Sequence, residues 1–135
     1  MMNSNSNPAS ELGVKGRQLG ACPDSPNCVS TQAEDEGHRI DAIAFSGTAE
    51  EALSAVRKTL ESMPRMKVVS EEGNYLHATA TTLIMRYVDD VEFLFDETEG
   101  TLHFRSASRI GYSDLGANRK RMETFRQRFS DIIAE

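Results

Sequence analysis

Hydrophobic periodicity changes twice along this chain, and those two changes restrict the folds open to it. Leu53, Val56, Leu60 and Met63 recur at helical spacing until Pro64 stops the pattern, which predicts a helix over about 49–62. Thr48, Ala49, Glu50 and Glu51 supply its start, because a Thr hydroxyl and a Glu carboxylate three residues on can satisfy backbone donors reciprocally. Beyond Pro64 the period falls to two. Met66 and Val68 lead to a Gly73-Asn74 turn, and Leu76, Ala78 and Ala80 then alternate with Tyr75, His77 and Thr79. VEFLFD and TLHFRSAS give two more strand-like runs, split by ETEG at hairpin length. Leu115, Met122, Phe125, Phe129, Ile132 and Ile133 return to helical spacing, predicting a last helix over about 115–133 with Ser113 or Asp114 as its cap. The implied class is α+β: an antiparallel meander of three to four strands with two helices packed on one face.

Residues 1–20, rich in Asn, Ser, Pro and Gly and without hydrophobic period, read as a disordered N-terminal tail, leaving residues 21–135 as a single domain. Ile40, Ile43 and Phe45 suggest one short extended segment before the first helix. The chain has no Trp and only six Phe, so these Phe and the aliphatic residues must fill the core.

Charge excludes one function class. The net charge is −6, and it divides unevenly: residues 1–100 carry 8 Lys+Arg against 17 Asp+Glu, whereas residues 101–135 carry 7 against 4. An acidic body lacks the basic footprint that phosphate neutralisation requires, so nucleic acid is not an expected partner. No run approaches the roughly 20 apolar residues of a membrane-spanning helix. The N-terminus also lacks the apolar stretch of a secretory signal, which points either to the cytoplasm or to a signal already removed.

Cys22 and Cys28 flank a Pro-containing turn, CPDSPNC, at a spacing that lets a tight loop close. In an oxidising compartment they are expected to form a disulfide; in cytosol they would stay reduced. Two thiols fall short of the usual four zinc ligands, and His38 does not complete the set, so no metal is expected.

The segment RSASRIGYSDLGANRKR, residues 105–121, is too polar for generic strand and helix. Asn118 projects toward the face that later becomes apolar, and Arg121 stands at the edge of that face. These groups need partners. Asp89 and Asp90 are the available carboxylates, and the expectation is one connected cluster of Arg105, Arg109, Asp114, Asn118 and Arg121 at the start of the last helix, with Ser113 beside it as a further binding candidate and Asp89 or Asp90 reaching it from the preceding strand. Such a cluster is either a structural network or an anion pocket that uses the arginines and helix-start N–H groups.

Three motifs in order, CPDSPNCVSTQ, YVDDVEF and RSASRIGYSDLGANRKR, resemble the family called domain of unknown function 1499, over about residues 20–130. That family occurs in bacteria and plastid-bearing organisms. The resemblance implies no established activity, substrate or cofactor. It implies an exported or envelope setting, periplasmic included, consistent with a disulfide.

Enzyme chemistry finds little footing. His38, His77 and His103 sit in no recognisable catalytic motif, and Ser106, Ser108 and Ser113 lack a nucleophile elbow. Asp89 and Asp90 are adjacent, so on a strand they point to opposite faces. The favoured function is a non-catalytic binding module for a small anion or lipid-like ligand, with no cofactor. The alternatives are a structural or protein-interaction domain and, less well supported, a hydrolase. The run Leu83, Ile84, Met85 and Tyr87 reads either as a buried strand or bulge or as apolar contact surface for the ligand.

Overall fold

Thr48 starts the first helix as its sequence predicts. Its hydroxyl accepts from Glu51 N–H, while the Glu51 carboxylate accepts from Thr48 N–H, and helix α1 runs Ala49–Glu61. The structure, a computed structural model, describes residues 12–110 and 116–135. Before α1 stand short strands β1 (Val14–Lys15), β2 (Gln18–Leu19), β3 (Cys28–Ser30) and β4 (Ile43–Ala44). After it come β5 (Met66–Glu72), β6 (Tyr75–Thr81), β7 (Val88–Asp96), β8 (Thr101–Ser108) and helix α2 (Ala117–Ile133).

Strands β5 to β8 form the expected antiparallel meander. Among the described residues the sheet is larger than expected, with order β3-β8-β7-β6-β5 and β4 also pairing β8. Period-two alternation decides its faces. Leu76 and Ala78 of β6, Val91, Phe93 and Phe95 of β7, and Leu102 and Phe104 of β8 join Leu53, Val56 and Leu60 of α1 and Met122, Phe125 and Phe129 of α2 in one apolar cluster. Both helices therefore lie over the same side of the sheet. All six Phe belong to this core: the Phe125 ring lies 4.8 Å from Phe93 and 5.5 Å from Phe129, and Phe45 meets Phe95 edge-on at 5.7 Å. Ring packing of this kind adds to the area burial that drives the fold.

The other side of the sheet is covered too, by residues 13–19 of the segment expected as a tail, while residues 1–11 lie outside the described residues. Residues 14–19 form a hairpin, β1 against β2, with Leu19 buried. Gly13 N–H donates to Glu92 at 2.7 Å, Arg17 pairs with Asp96 at 2.6 Å, and Arg105 donates to the Ala21 carbonyl at 3.0 Å. These anchors join positions far apart in sequence, so local composition carries no sign of them. As a result β7 is buried along Asp89–Phe95.

The last helix begins later than predicted. Its N-cap is Gly116 at φ 80°, a conformation glycine adopts without strain, and as a glycine it offers no capping side chain of its own. Ser113 and Asp114, the expected caps, lie outside the described residues, as do Gly111 and Leu115.

Candidate functional site

Consecutive residues of β7 send their side chains to opposite faces, and this divides the expected polar cluster in two. On the helix side Asp89 accepts from Arg121 at 2.8 Å. Asn118, fully buried, uses its whole hydrogen-bonding capacity. Its Oδ1 accepts from Ser106 Oγ at 2.6 Å and Arg121 at 2.8 Å; its Nδ2 donates to the Asn27 carbonyl at 3.1 Å and Ser108 Oγ at 2.9 Å. A buried amide is tolerated when its partners are all in place.

On the opposite side Asp90 accepts two bonds from Arg109, both at 2.9 Å, and holds His77 at 2.8 Å. Burial pushes the Asp90 carboxyl up, but the His77 and Arg109 bonds and charges outweigh it and keep it below the usual carboxylate range. Beside it Arg105 meets Glu92 at 3.0 Å with both side chains fully buried, and Glu92 also accepts from Tyr75 OH at 2.6 Å. Burial, then that bond to Glu92, pushes the Tyr75 phenol far up.

Among the described residues the expected cluster divides into two groups, one on each side of the sheet. Asp89, Asn118 and Arg121 lie together under the helices; Asp90, Arg105 and Arg109 lie on the far side; Ser113 and Asp114 fall outside the described residues. Composition alone lets either β7 aspartate serve as the cluster's carboxylate, and the pleat gives one to each face. Glu92 and Tyr75 were missed, although Glu92 shares its face with Asp90 by simple alternation.

Cys22 and Cys28 stand at disulfide distance, with Cα atoms 5.7 Å apart. Their loop is fixed at its centre by His38, whose Nε2 meets the Ser25 carbonyl at 2.6 Å and whose Nδ1 meets Asp35 at 2.7 Å. Both partners accept, so the doubly protonated ring serves both. The Ser25 bond, and after it the Asp35 carboxylate, lift the His38 pKa above its ordinary value. A raised folded pKa gives stability that is complete below the unfolded value, about 6.5, and lost as pH rises through the folded one. The difference in melting temperature between the natural chain and His38→Gln is accordingly expected to be largest below about pH 6.5 and to shrink on the alkaline side. Thermal melts across that range check it; a difference that grows with pH would contradict the protonated ring. His103 behaves oppositely: burial pushes its pKa down, and Thr31 Oγ1 lies 2.9 Å from its Nδ1.

Neither polar cluster is open space, but a groove lies beside the helix-side one. About 380 Å³ in volume, it runs between α2 and the paired ends of β5 and β6. Ala117, Lys120, Arg121, Thr124 and Arg128 line it from one face of α2, and Arg65 lines it from the sheet end. Met63, Met66, Ala80 and Leu83 supply apolar wall. None of the described lining residues is acidic. Arg65 Nε donates to the Thr81 carbonyl at 3.1 Å, Arg128 donates to the Ser62 carbonyl, and Arg121 is held by Asp89. Lys120 is exposed and has no carboxylate partner among the described residues. A larger depression, about 660 Å³, lies between α1 and the end of α2, but it mixes Glu50 and Glu51 with Arg57 and Lys58 and so has no preference for anions.

No helix among the described residues is long and apolar enough to cross a membrane, and no group of three or more His, Cys, Asp or Glu among them could hold a metal. Fold and site together define a small α+β domain whose central strand is ion-paired on both faces. The family model described as protein of unknown function (DUF1499) matches residues 18–129, and the chain belongs to that family. No curated protein and no solved structure matches it.

Proposed function

We propose that this protein is a non-catalytic binding module for a small amphipathic anion, held in the groove between α2 and the β5–β6 end. The observation that carries this function is a wall with Arg65, Lys120, Arg121 and Arg128 on it, no carboxylate among its described residues, and methionine, alanine and leucine side chains alongside. A phosphate or carboxylate head would meet the cations through charge-assisted hydrogen bonds, and an alkyl part would cover Met63, Met66 and Leu83. Asn118 and Asp89 serve here as positioning residues, because both bind Arg121 and fix its guanidinium at the groove wall. Arg105 and Arg109 have no part in it, being committed to carboxylates on the other side of the sheet. The protein-interaction alternative through a sheet edge is disfavoured by the irregularity between Val68 and Ser70, which interrupts β5 as a template for strand addition.

Octyl phosphate is expected to raise the melting temperature, and inorganic phosphate to raise it less. Ligand at about a hundred times its Kd stabilises by roughly 2.7 kcal/mol. Lys120→Glu and Arg65→Glu should each remove most of the rise; Lys120→Glu should leave the ligand-free melt nearly unchanged, since its side chain is exposed, and Arg65→Glu should lower it slightly through the lost bond to the Thr81 carbonyl. No rise with octyl phosphate, or a full rise in Lys120→Glu, would overturn the proposal.

A further inference from the structure

The hairpin joining β6 to β7 ends in an apolar tip that no other described residue covers. Its neck is closed twice: Thr82 N–H donates to the Tyr87 carbonyl at 2.8 Å, and Tyr87 N–H donates to Thr82 Oγ1 at 2.8 Å. Beyond the neck Leu83, Ile84 and Met85 are 63%, 84% and 62% exposed, and Arg86 turns the chain back at φ 59°. The buried strand or bulge expected here is corrected by this geometry. Ladder pairing stops at Thr81 and Val88, so the intervening residues have no strand to join. Single exposed apolar residues are ordinary, but three large ones in succession at a projecting tip mark a contact surface.

Leu83 also lines the groove, so the tip continues directly into the wall of Arg65, Lys120, Arg121 and Arg128. An apolar point flanked by cations matches a bilayer with anionic headgroups, the acyl boundary receiving the tip and the phosphates receiving the basic side chains. A hydrophobic pocket on a partner protein would accept the tip but gives no account of the cationic wall beside it. The net charge of −6 does not oppose this. Screening confines each charge to about 8–10 Å, and the nearest field is that of the groove. We infer that the protein docks peripherally on anionic lipid bilayers, inserting Leu83, Ile84 and Met85 and gripping a lipid headgroup with the groove. The inference rests on the groove's affinity for amphipathic anions and names the lipid surface as their source.

The chain has no Trp, so Ile84→Trp places a single reporter at the tip. With vesicles of phosphatidylcholine containing phosphatidylglycerol, the expected result is co-sedimentation of the protein and a blue shift of the Ile84→Trp emission. Pure phosphatidylcholine vesicles should give neither. Ile84→Asp should lower the vesicle partition constant by about tenfold or more while keeping the melting-temperature rise with octyl phosphate. If octyl phosphate still stabilises but no vesicle binds, membrane docking is wrong and the groove stands; if neither has an effect, both fail. Equal binding to neutral vesicles would overturn the charge argument. Concentration-dependent self-association that Ile84→Asp abolishes, without vesicle binding, would assign the tip to a second copy of the chain instead.

Discussion

Arg105→Met is expected to lower the stability of the folded protein by about 3–5 kcal/mol, a fall in melting temperature on the order of 10 °C or more. Arg105 and Glu92 are both fully buried and face each other at 3.0 Å, so removing the guanidinium strands a carboxylate in the interior. The size of the loss comes from that stranded charge. Replacing both residues, Glu92→Leu with Arg105→Met, should therefore give a protein more stable than the single variant, because a buried pair exchanged for apolar volume is often close to neutral. The double variant will not return fully to the natural stability. Tyr75 OH and Gly13 N–H both donate to Glu92 Oε2, and losing their acceptor costs about 1–3 kcal/mol per donor, toward the lower end because both residues are only part-buried. Chemical denaturation of the three variants checks the order. A double variant less stable than Arg105→Met would mean that packing of the long side chains, not their charges, dominates.

The second large effect belongs to Asn118. Asn118→Ala removes four hydrogen bonds at once and is expected to cost about 2–4 kcal/mol, at about 0.5–1.5 kcal/mol for each lost bond, although the Asn27 carbonyl still accepts from Ser108 N–H and the Ser106 hydroxyl still accepts from Arg121. Asn118→Asp distinguishes hydrogen bonding from shape. It keeps the oxygen that accepts from Ser106 and Arg121 but sets a carboxylate oxygen against the Asn27 carbonyl, so it too should destabilise despite equal size. Because Asn118 also fixes Arg121, the Ala variant should weaken octyl phosphate binding beyond its effect on stability. Isothermal titration well below the variant's melting temperature reads that separately. Unchanged affinity would remove Asn118 from the support of the groove.

The elements legible in the sequence are those whose information is local. The capping box at Thr48 and Glu51, the stop at Pro64 and the alternation through Tyr75–Thr81 each specify their structure within a few residues. Strands β1, β2 and β3 are two or three residues long, too short to show a period, and their order comes from partners such as Glu92 and Arg105 far along the chain. The polar segment is intermediate. Its composition marks Asn118, Arg121 and Arg105 as unusual, and period-two counting through β7 and β8 assigns Asp89, Ser106 and Ser108 to one face and Asp90, Glu92 and Arg105 to the other. The groove had a readable half: Lys120, Thr124 and Arg128 repeat at four-residue spacing along α2. Its other half did not. Arg65 joins those residues only because the fold brings the start of β5 and the end of β6 against the first turns of α2, a relation fixed by tertiary structure.

Backbone chemical shifts of the isotopically labelled protein, followed during titration with octyl phosphate, test the central claim most directly. The predicted result is a set of saturable changes confined to the groove, centred on Arg65, Leu83, Lys120, Thr124 and Arg128, with His77, Arg105 and Arg109 on the opposite side of the sheet unmoved. Changes centred instead on His77, Asp90 and Arg109, or none at octyl phosphate concentrations that give the full rise in melting temperature, would contradict it.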